Sequence, residues 1–317
     1  LTLPTREAAT IRALAILVAF CVDHFIGEPP SRLHPVVWMG KALSSTGAPW
    51  TQAAPRIAFA YGAAVWMIGA ALTGAVAWAV VMLIQRGIGA VSIGDQLAQA
   101  ALLGLLLKPL LSWRMLSREV AAVECAVENG IETGRMQLRR LVSRDTTRLS
   151  TIEVRESALE SLAENLNDSL VAPLLWFAIG GVPAAALYRF ANTADAMWGY
   201  RGCWEWAGKW AARADDLLSY VPARLTAAIL ALSAWRSPSQ LRRIARVTPS
   251  PNGGWPMGML ALALNVRLSK PGVYVLNAAG SIVEEGHVWA GLRVCERAAW
   301  LTVALSAATT LVVGRWS

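Results

Sequence analysis

Carboxylates recur every four residues from Glu156 through Glu160 and Glu164 to Asp168, and a basic, hydroxyl-rich stretch (Arg144, Asp145, Thr146, Thr147, Arg148) lies just upstream. At 3.6 residues per turn such a ladder follows one slowly drifting helix face. Like charges at this spacing repel, so a cation belongs nearby, either Mg²⁺ or a cluster of arginines. Glu160, Glu164, Asn165 and Asp168 offer the hard oxygen ligands that Mg²⁺ prefers. Arg144 and Arg148 stand one turn apart if their stretch is helical, a spacing suited to gripping phosphate oxygens. The competing account is a solvated acidic face laced with Glu–Arg pairs.

Four other clusters could carry chemistry. Asp23, Glu28, Arg32 and His34 surround the rigid turn Gly27–Pro30 and offer charge and proton transfer, or a structural hydrogen bond. Asn192 and Asp195, followed by Arg201, fall in an aromatic segment, where Asn192 or Thr193 could instead cap a helix. Asp215 and Asp216 sit between Arg213 and Arg224. On a helix they point about 100° apart and so serve different partners. In Ser250–Met259, Asn252, Gly253 and Gly254 permit positive φ and an anion nest of backbone N–H groups, or a plain turn.

The elements that must position these residues are membrane helices. Of the 317 residues 55% are hydrophobic and only 16% charged, and the mean hydropathy is +0.43. A soluble domain carries nearer ~25% charge. The expected fold is all-α, a single polytopic membrane domain over 1–317. About four to six membrane-embedded helices are expected, near 11–26, 57–85, 97–113, 170–187, 221–235 and 298–313. Gly180, Gly181 and Pro183 should break the fourth. The polar region 114–165 reads as two or three amphipathic helices forming a polar site at the interface, with Gly130 and Gly134 bracketing a turn. Trp198, Trp204, Trp206 and Trp210 suggest an interfacial belt.

The net charge of +8 suits anionic lipid or an anionic substrate. The basic residues form no dense patch, which argues against nucleic acid. Cys21, Cys125, Cys203 and Cys295 are far apart, predict no disulfide framework, and read as small buried apolar residues. Neither GxxxxGK[ST] nor GxGxxG occurs, so a nucleotide site would have to assemble from dispersed residues.

Taken in order, the clusters resemble the cobalamin-biosynthesis CobD/CbiB family, the adenosylcobinamide-phosphate synthases. The matching motifs are D-x-x-x-G-[DE]-P…H-P-V (Asp23–Val36), R-D-T (Arg144–Thr146) and A-E-N-x-x-D-x-x-x-A-P (Ala163–Pro173). N-T-x-D-x-M-x-G-Y (Asn192–Tyr200), A-R-x-D-D…Y-x-P-A-R (Ala212–Arg224) and S-P-N-x-G (Ser250–Gly254) follow. The chain departs from the family pattern at Ser169 (usually glycine), Arg189 (lysine) and Ser219 (asparagine), and near Met257, where a glutamate is usual.

The resemblance implies a multi-pass protein of the bacterial inner membrane, an ATP- and Mg²⁺-dependent ligase. It would join a propionate carboxylate of a corrinoid, cobyric acid, to the amine of aminopropanol or its phosphate. Other membrane enzymes of the corrinoid pathway would be its neighbours. With the resemblance added to the clusters, Asp168, Asp215, Asp195 and His34 are expected to be catalytic. Arg144, Asp145, Arg148, Arg213, Arg224 and Asn252 are expected to bind the nucleotide, and Glu164, Asn165, Asp168 and Asp216 the metal. Glu153 and Glu156 are then ordinary solvated or arginine-paired positions. The alternative is a non-catalytic membrane sensor or accessory protein on the same scaffold, like the AmpE-type relatives. A transporter would call for inverted repeats, which the sequence lacks.

Overall fold

The computed structural model describes residues 6–47, 51–89, 92–200 and 202–313. Arg201 lies outside the described residues. In chain order the helices are α1 (Arg6–Cys21), α2 (Pro35–Gly47), α3 (Pro55–Gly87), α4 (Ile93–Leu107), α5 (Trp113–Glu128), α6 (Ile131–Leu138) and α7 (Thr151–Leu166). They continue with α8 (Ala172–Trp198), α9 (Lys209–Leu218), α10 (Tyr220–Ala234), α11 (Leu241–Ala245), α12 (Gly254–Leu264) and α13 (Glu285–Val313). Two short strands, β1 (Leu268–Lys270) and β2 (Tyr274–Leu276), pair antiparallel. Among the described residues the protein is therefore all-α apart from this hairpin, which the sequence reading did not anticipate.

Four helical stretches among the described residues are long and apolar enough to cross a membrane: Arg6–Ile26, Pro55–Gly87, Ile93–Glu128 and Thr151–Trp198. A fifth is added if α9 and α10 make one broken span. The expected segment 298–313 is the C-terminal part of the longer helix α13.

The chain groups into two compact units. The first comprises the described parts of Leu1–Ser112, Ala172–Leu218 and Val303–Ser317; the second comprises Trp113–Val171 and Ser219–Thr302. In the first unit α1 packs on α4, and α3 lies against α8 and α9. Leu43, Ala70, Phe190, Ala194, Trp198 and Ala211 form a core. Much of α3 remains uncovered, with Leu72, Val76 and Leu83 exposed. Such a face is costly in water and suited to lipid. The expected break in α8 falls at Gly180 and Gly181, and the φ of +67° at Gly181 is one that glycine adopts without a side-chain clash. A wide π-helical turn, Val22–Ile26, ends α1 and holds Asp23.

In the second unit α7 packs against α5, α6, α12 and β1. Its start is fixed by a capping box, in which Ser150 and Glu153 satisfy each other's backbone N–H groups. Glu153 is thus a cap. Glu156 and Glu160 are buried, so the solvated-face account fails for them, whereas Glu164 is exposed and Asp168 half-buried. Glu156 accepts from the Ser269 backbone N–H at 3.1 Å and from its hydroxyl, with Arg267 Nε 3.9 Å away. A second π-helical turn, Asn167–Val171, follows α7 and carries Asp168.

Three smaller expectations change. Residues 142–150, which hold Arg144 and Arg148, are turns and bends, so the helical spacing proposed for the two arginines does not apply. Gly134 lies inside α6, and Gly130 alone makes the turn before it. Of the cysteines, only Cys295 is buried, the other three being exposed and all four free.

Candidate active site

In the second unit the R-D-T stretch is a folded turn. Buried Thr146 donates to the Arg135 carbonyl at 3.0 Å and accepts from Arg139 Nε at 3.2 Å. Asp145 Oδ1 accepts from the Thr147 backbone N–H at 2.9 Å and its hydroxyl at 2.8 Å. These bonds hold the Asp145 carboxyl below the usual range. The turn delivers Arg144, whose Nη2 donates to Glu160 Oε2 at 2.7 Å. Arg148 is exposed.

Around this pair lies a cavity of about 170 Å³, bordered by Glu164, Asn165, Lys270 and Tyr274. Arg144 Nη1 and Glu160 Oε1 are buried there with no hydrogen-bond partner among the described residues. A buried donor and a buried acceptor facing the cavity take their partners from whatever fills it, water or a polar ligand. Asn165 Nδ2 donates to the Ser161 carbonyl at 2.9 Å, so its amide oxygen is the atom left for a ligand. Burial, then the Glu160 and Glu164 carboxylates, push the Tyr274 hydroxyl well above its ordinary pKa and keep it a donor.

Lys270 and Tyr274 come from the unanticipated hairpin. The signal for it was Pro271–Gly272: Val273 N–H closes the turn on the Lys270 carbonyl at 2.9 Å, and Gly272 has φ +72°.

The Ser250–Gly254 segment is not an anion nest. The Asn252 and Gly253 N–H groups donate to Ser250 Oγ at 3.2 and 3.3 Å, and Gly253 has φ −55°. Glycine there gives closeness instead: a Cβ on Gly253 would lie 3.0 Å from Glu164 Oε1, which would have to shift slightly. Arg224 Nη1 donates to Asn252 Oδ1 at 2.8 Å, and its guanidinium lies 3.5 Å from the Tyr220 ring centroid. Asp168 Oδ1 accepts from Asn167 Nδ2 at 2.8 Å, and Thr226 Oγ1 fixes Asn167 at 2.9 Å.

The first unit holds the other candidates in two clusters. Asn192 lies inside α8, which removes the capping account; its Nδ2 donates to Asp215 Oδ1 at 3.4 Å. Arg189, the departure from lysine, reaches Asn192 Oδ1 and Ser112 Oγ, each at 3.4 Å. Asp195 is one turn further along α8, and Arg213 and Asp216 belong to α9.

The second cluster centres on Lys108, which stands within the apolar segment 97–113. Its Nζ, 3% exposed, lies 3.1 Å from Asp23 Oδ1 and donates to Glu28 Oε2 at 2.8 Å. His34 Nε2 is 3.1 Å from the same Glu28 oxygen. Burial alone would raise the Glu28 pKa; the His34 and Lys108 hydrogen bonds outweigh it and leave the carboxyl below the usual range. A lone cation inside an apolar run was the available signal.

Among the described residues no group of three or more His, Cys, Asp or Glu side chains is placed to hold a metal ion. Mg²⁺ commonly takes one or two carboxylates and completes its shell with water and substrate phosphate. Within the cavity, Glu164, Asn165 and Glu160 Oε1 are the oxygen groups that could hold such an ion.

The family model described as CobD/Cbib protein matches residues 16–301. The chain belongs to the CobD/CbiB family. The matched range contains every candidate site residue from His34 to Asn252. The probable cobalamin biosynthesis protein CobD of Methanothermobacter thermautotrophicus is 40% identical over 275 residues, covering 82% of this chain and 85% of that protein. The cobalamin biosynthesis protein CobD of Dehalococcoides mccartyi is 35% identical over 271 residues, 83% of this chain and 86% of the relative. That of Brucella anthropi is 33% identical over 293 residues, 85% and 88%. No solved structure matches. Within the CobD/CbiB frame, the departure near Met257 has a definite setting: the Met257 sulfur lies 3.8 Å from the Tyr274 hydroxyl.

Proposed function

We propose that this chain carries out the amide-forming step of cobalamin biosynthesis. A corrinoid propionate, that of cobyric acid, would be joined to the amine of aminopropanol or its phosphate, with ATP as the second substrate. A role in cobalamin biosynthesis follows from the family and its named members. The finer reading is supported above all by one observation, the cavity lined by Arg144, Lys270, Glu160, Glu164 and Asn165.

Amide formation from a carboxylate needs an activated acyl group. A propionate oxygen attacks the γ-phosphorus of ATP and ADP leaves; the amine nitrogen then attacks the acyl carbon and phosphate leaves. In this reading Arg144 and Lys270 hold phosphate oxygens, the planar guanidinium giving direction and the ammonium giving charge. Mg²⁺ held at Glu164 and Asn165 would neutralise charge developing on the transferred group. Tyr274, kept protonated, donates a hydrogen bond. In the first unit, Asp215, whose Oδ1 accepts from Asn192 Nδ2, is proposed as a proton acceptor. In the second unit Asp168 is the further proposed catalytic group, and Arg224, Asn252, Asp145 and Arg148 are the proposed nucleotide-binding ones; in the first unit Asp195 and His34 are proposed as catalytic, Arg213 as nucleotide-binding and Asp216 as metal-binding. The bacterial inner membrane is the proposed location, and other corrinoid-pathway membrane enzymes the proposed neighbours.

The test is complementation of a strain lacking the synthase, grown where corrinoid completion is required. Rescue by wild type and none by Arg144→Gln is the expected outcome. Failure of well-expressed wild type to rescue would overturn the ligase reading.

A further inference from the structure

Outside the candidate site, the second unit contains a wider groove of about 500 Å³ between α5 and α13. Arg118 stands on one wall and Arg293 and Arg297, one turn apart, on the other; Trp289 and Leu292 also line it. All three arginines are exposed, and none has a hydrogen-bond or ion-pair partner among the described residues. The carboxylate in the groove, Glu296, accepts from the indole N–H of Trp113 at 2.8 Å and of Trp300 at 2.7 Å. Those neutral donors fix it in place and leave three guanidinium groups against one carboxylate.

The position on α13 is informative. Arg297 is the last charge before the uncharged stretch Ala298–Val313, and Trp289 and Trp300 flank it. Tryptophan beside arginine at the end of an apolar stretch marks head-group depth, and basic pockets among membrane helices take phosphate head groups. The guanidinium fork matches phosphate oxygens.

We propose that this groove binds a phosphate-bearing anion, presented by an anionic phospholipid head group or free in water. The site is separate from the Arg144 cavity and independent of the ligase reading.

The full chain is placed in nanodiscs of phosphatidylcholine alone or with phosphatidylglycerol, and retained lipid is read by native mass spectrometry. Hydrogen exchange over 289–297 is followed with and without inorganic phosphate. Enrichment of phosphatidylglycerol on wild type identifies the lipid source. Slowed exchange on adding phosphate to phosphatidylcholine discs identifies the soluble one. In either case Arg293→Gln with Arg297→Gln should weaken binding by roughly 30-fold, as each basic residue near an anionic surface contributes about a fivefold preference. Arg118→Gln gives the same test from the opposite wall should the double variant fold poorly. No enrichment together with no phosphate effect overturns the proposal, as does binding indifferent to all three substitutions.

Discussion

Arg224 and Asn252, 28 residues apart, are joined by a hydrogen bond from Nη1 to Oδ1 at 2.8 Å, and Arg224 Nη2 donates to the Pro251 carbonyl at 3.1 Å. Two residues expected to contact nucleotide separately are thus one unit, with Asn252 holding the guanidinium in place. Asn252→Ala should therefore lower nucleotide affinity about tenfold, the range of a hydrogen bond to a charged group. Nucleotide titration of the purified protein checks this; unchanged affinity would separate Arg224 from the nucleotide.

The Arg144–Glu160 pair makes a prediction about stability. Glu160 is buried, so Arg144→Ala leaves a carboxylate without its cation and should destabilise by about 3 kcal/mol. Adding Glu160→Leu should recover much of that loss while activity stays absent. Denaturation of the single and double variants reads the coupling directly.

Gly253→Ala tests closeness rather than φ. The added methyl meets Glu164 Oε1 at 3.0 Å, and the crowding should cost about 1 kcal/mol. Activity should fall far more than the melting temperature, because the carboxylate that must move is the one assigned to the metal. Full activity in a normally folded Gly253→Ala protein would count against that assignment.

The Glu28 carboxyl, held below the usual range by His34 and Lys108, gives a pH dependence. A depressed folded-state pKa contributes stability that is complete above the unfolded value, about 4.3, and is lost as pH falls through the folded one. Acid unfolding of wild type should show this loss below about pH 5. Lys108→Met should flatten that dependence and lower stability at neutral pH, which a series of melts across pH would record.

Asp168→Asn and Asp215→Asn remove charge at nearly constant size. Both should abolish turnover while membrane insertion and melting temperature stay near wild type. Wild-type rates in either variant would remove that residue from the proposed mechanism.

Much of the membrane scaffold could be read directly from the chain. The absence of charge from Ile57 through Ile84 announces α3, and Gly180, Gly181 and Pro183 announce the break in α8, because those signals are local. Burial of Glu156 was not legible, since it depends on Ser269, 113 residues away. Lys270 and Tyr274 escaped notice because three-residue strands are too short to show alternation. The glycines of the Ser250–Gly254 segment suggested φ freedom, whereas Gly253 serves proximity to Glu164. Spacing singled out Arg144, Glu160 and Glu164, which line one cavity, but that cavity depends on contacts that no local pattern encodes.

The π-helical turn at Val22–Ile26 has a consequence for how insertions and deletions would be felt. A π turn is an α-helix with one surplus residue looped into it. Deleting Phe25 would let the turn relax to ordinary helical winding, and α1 would survive. Asp23, however, lies inside the turn, so rewinding would reorient it and move its carboxylate away from Lys108 Nζ, now 3.1 Å distant. This short segment can tolerate a change of sequence far better than a change of length.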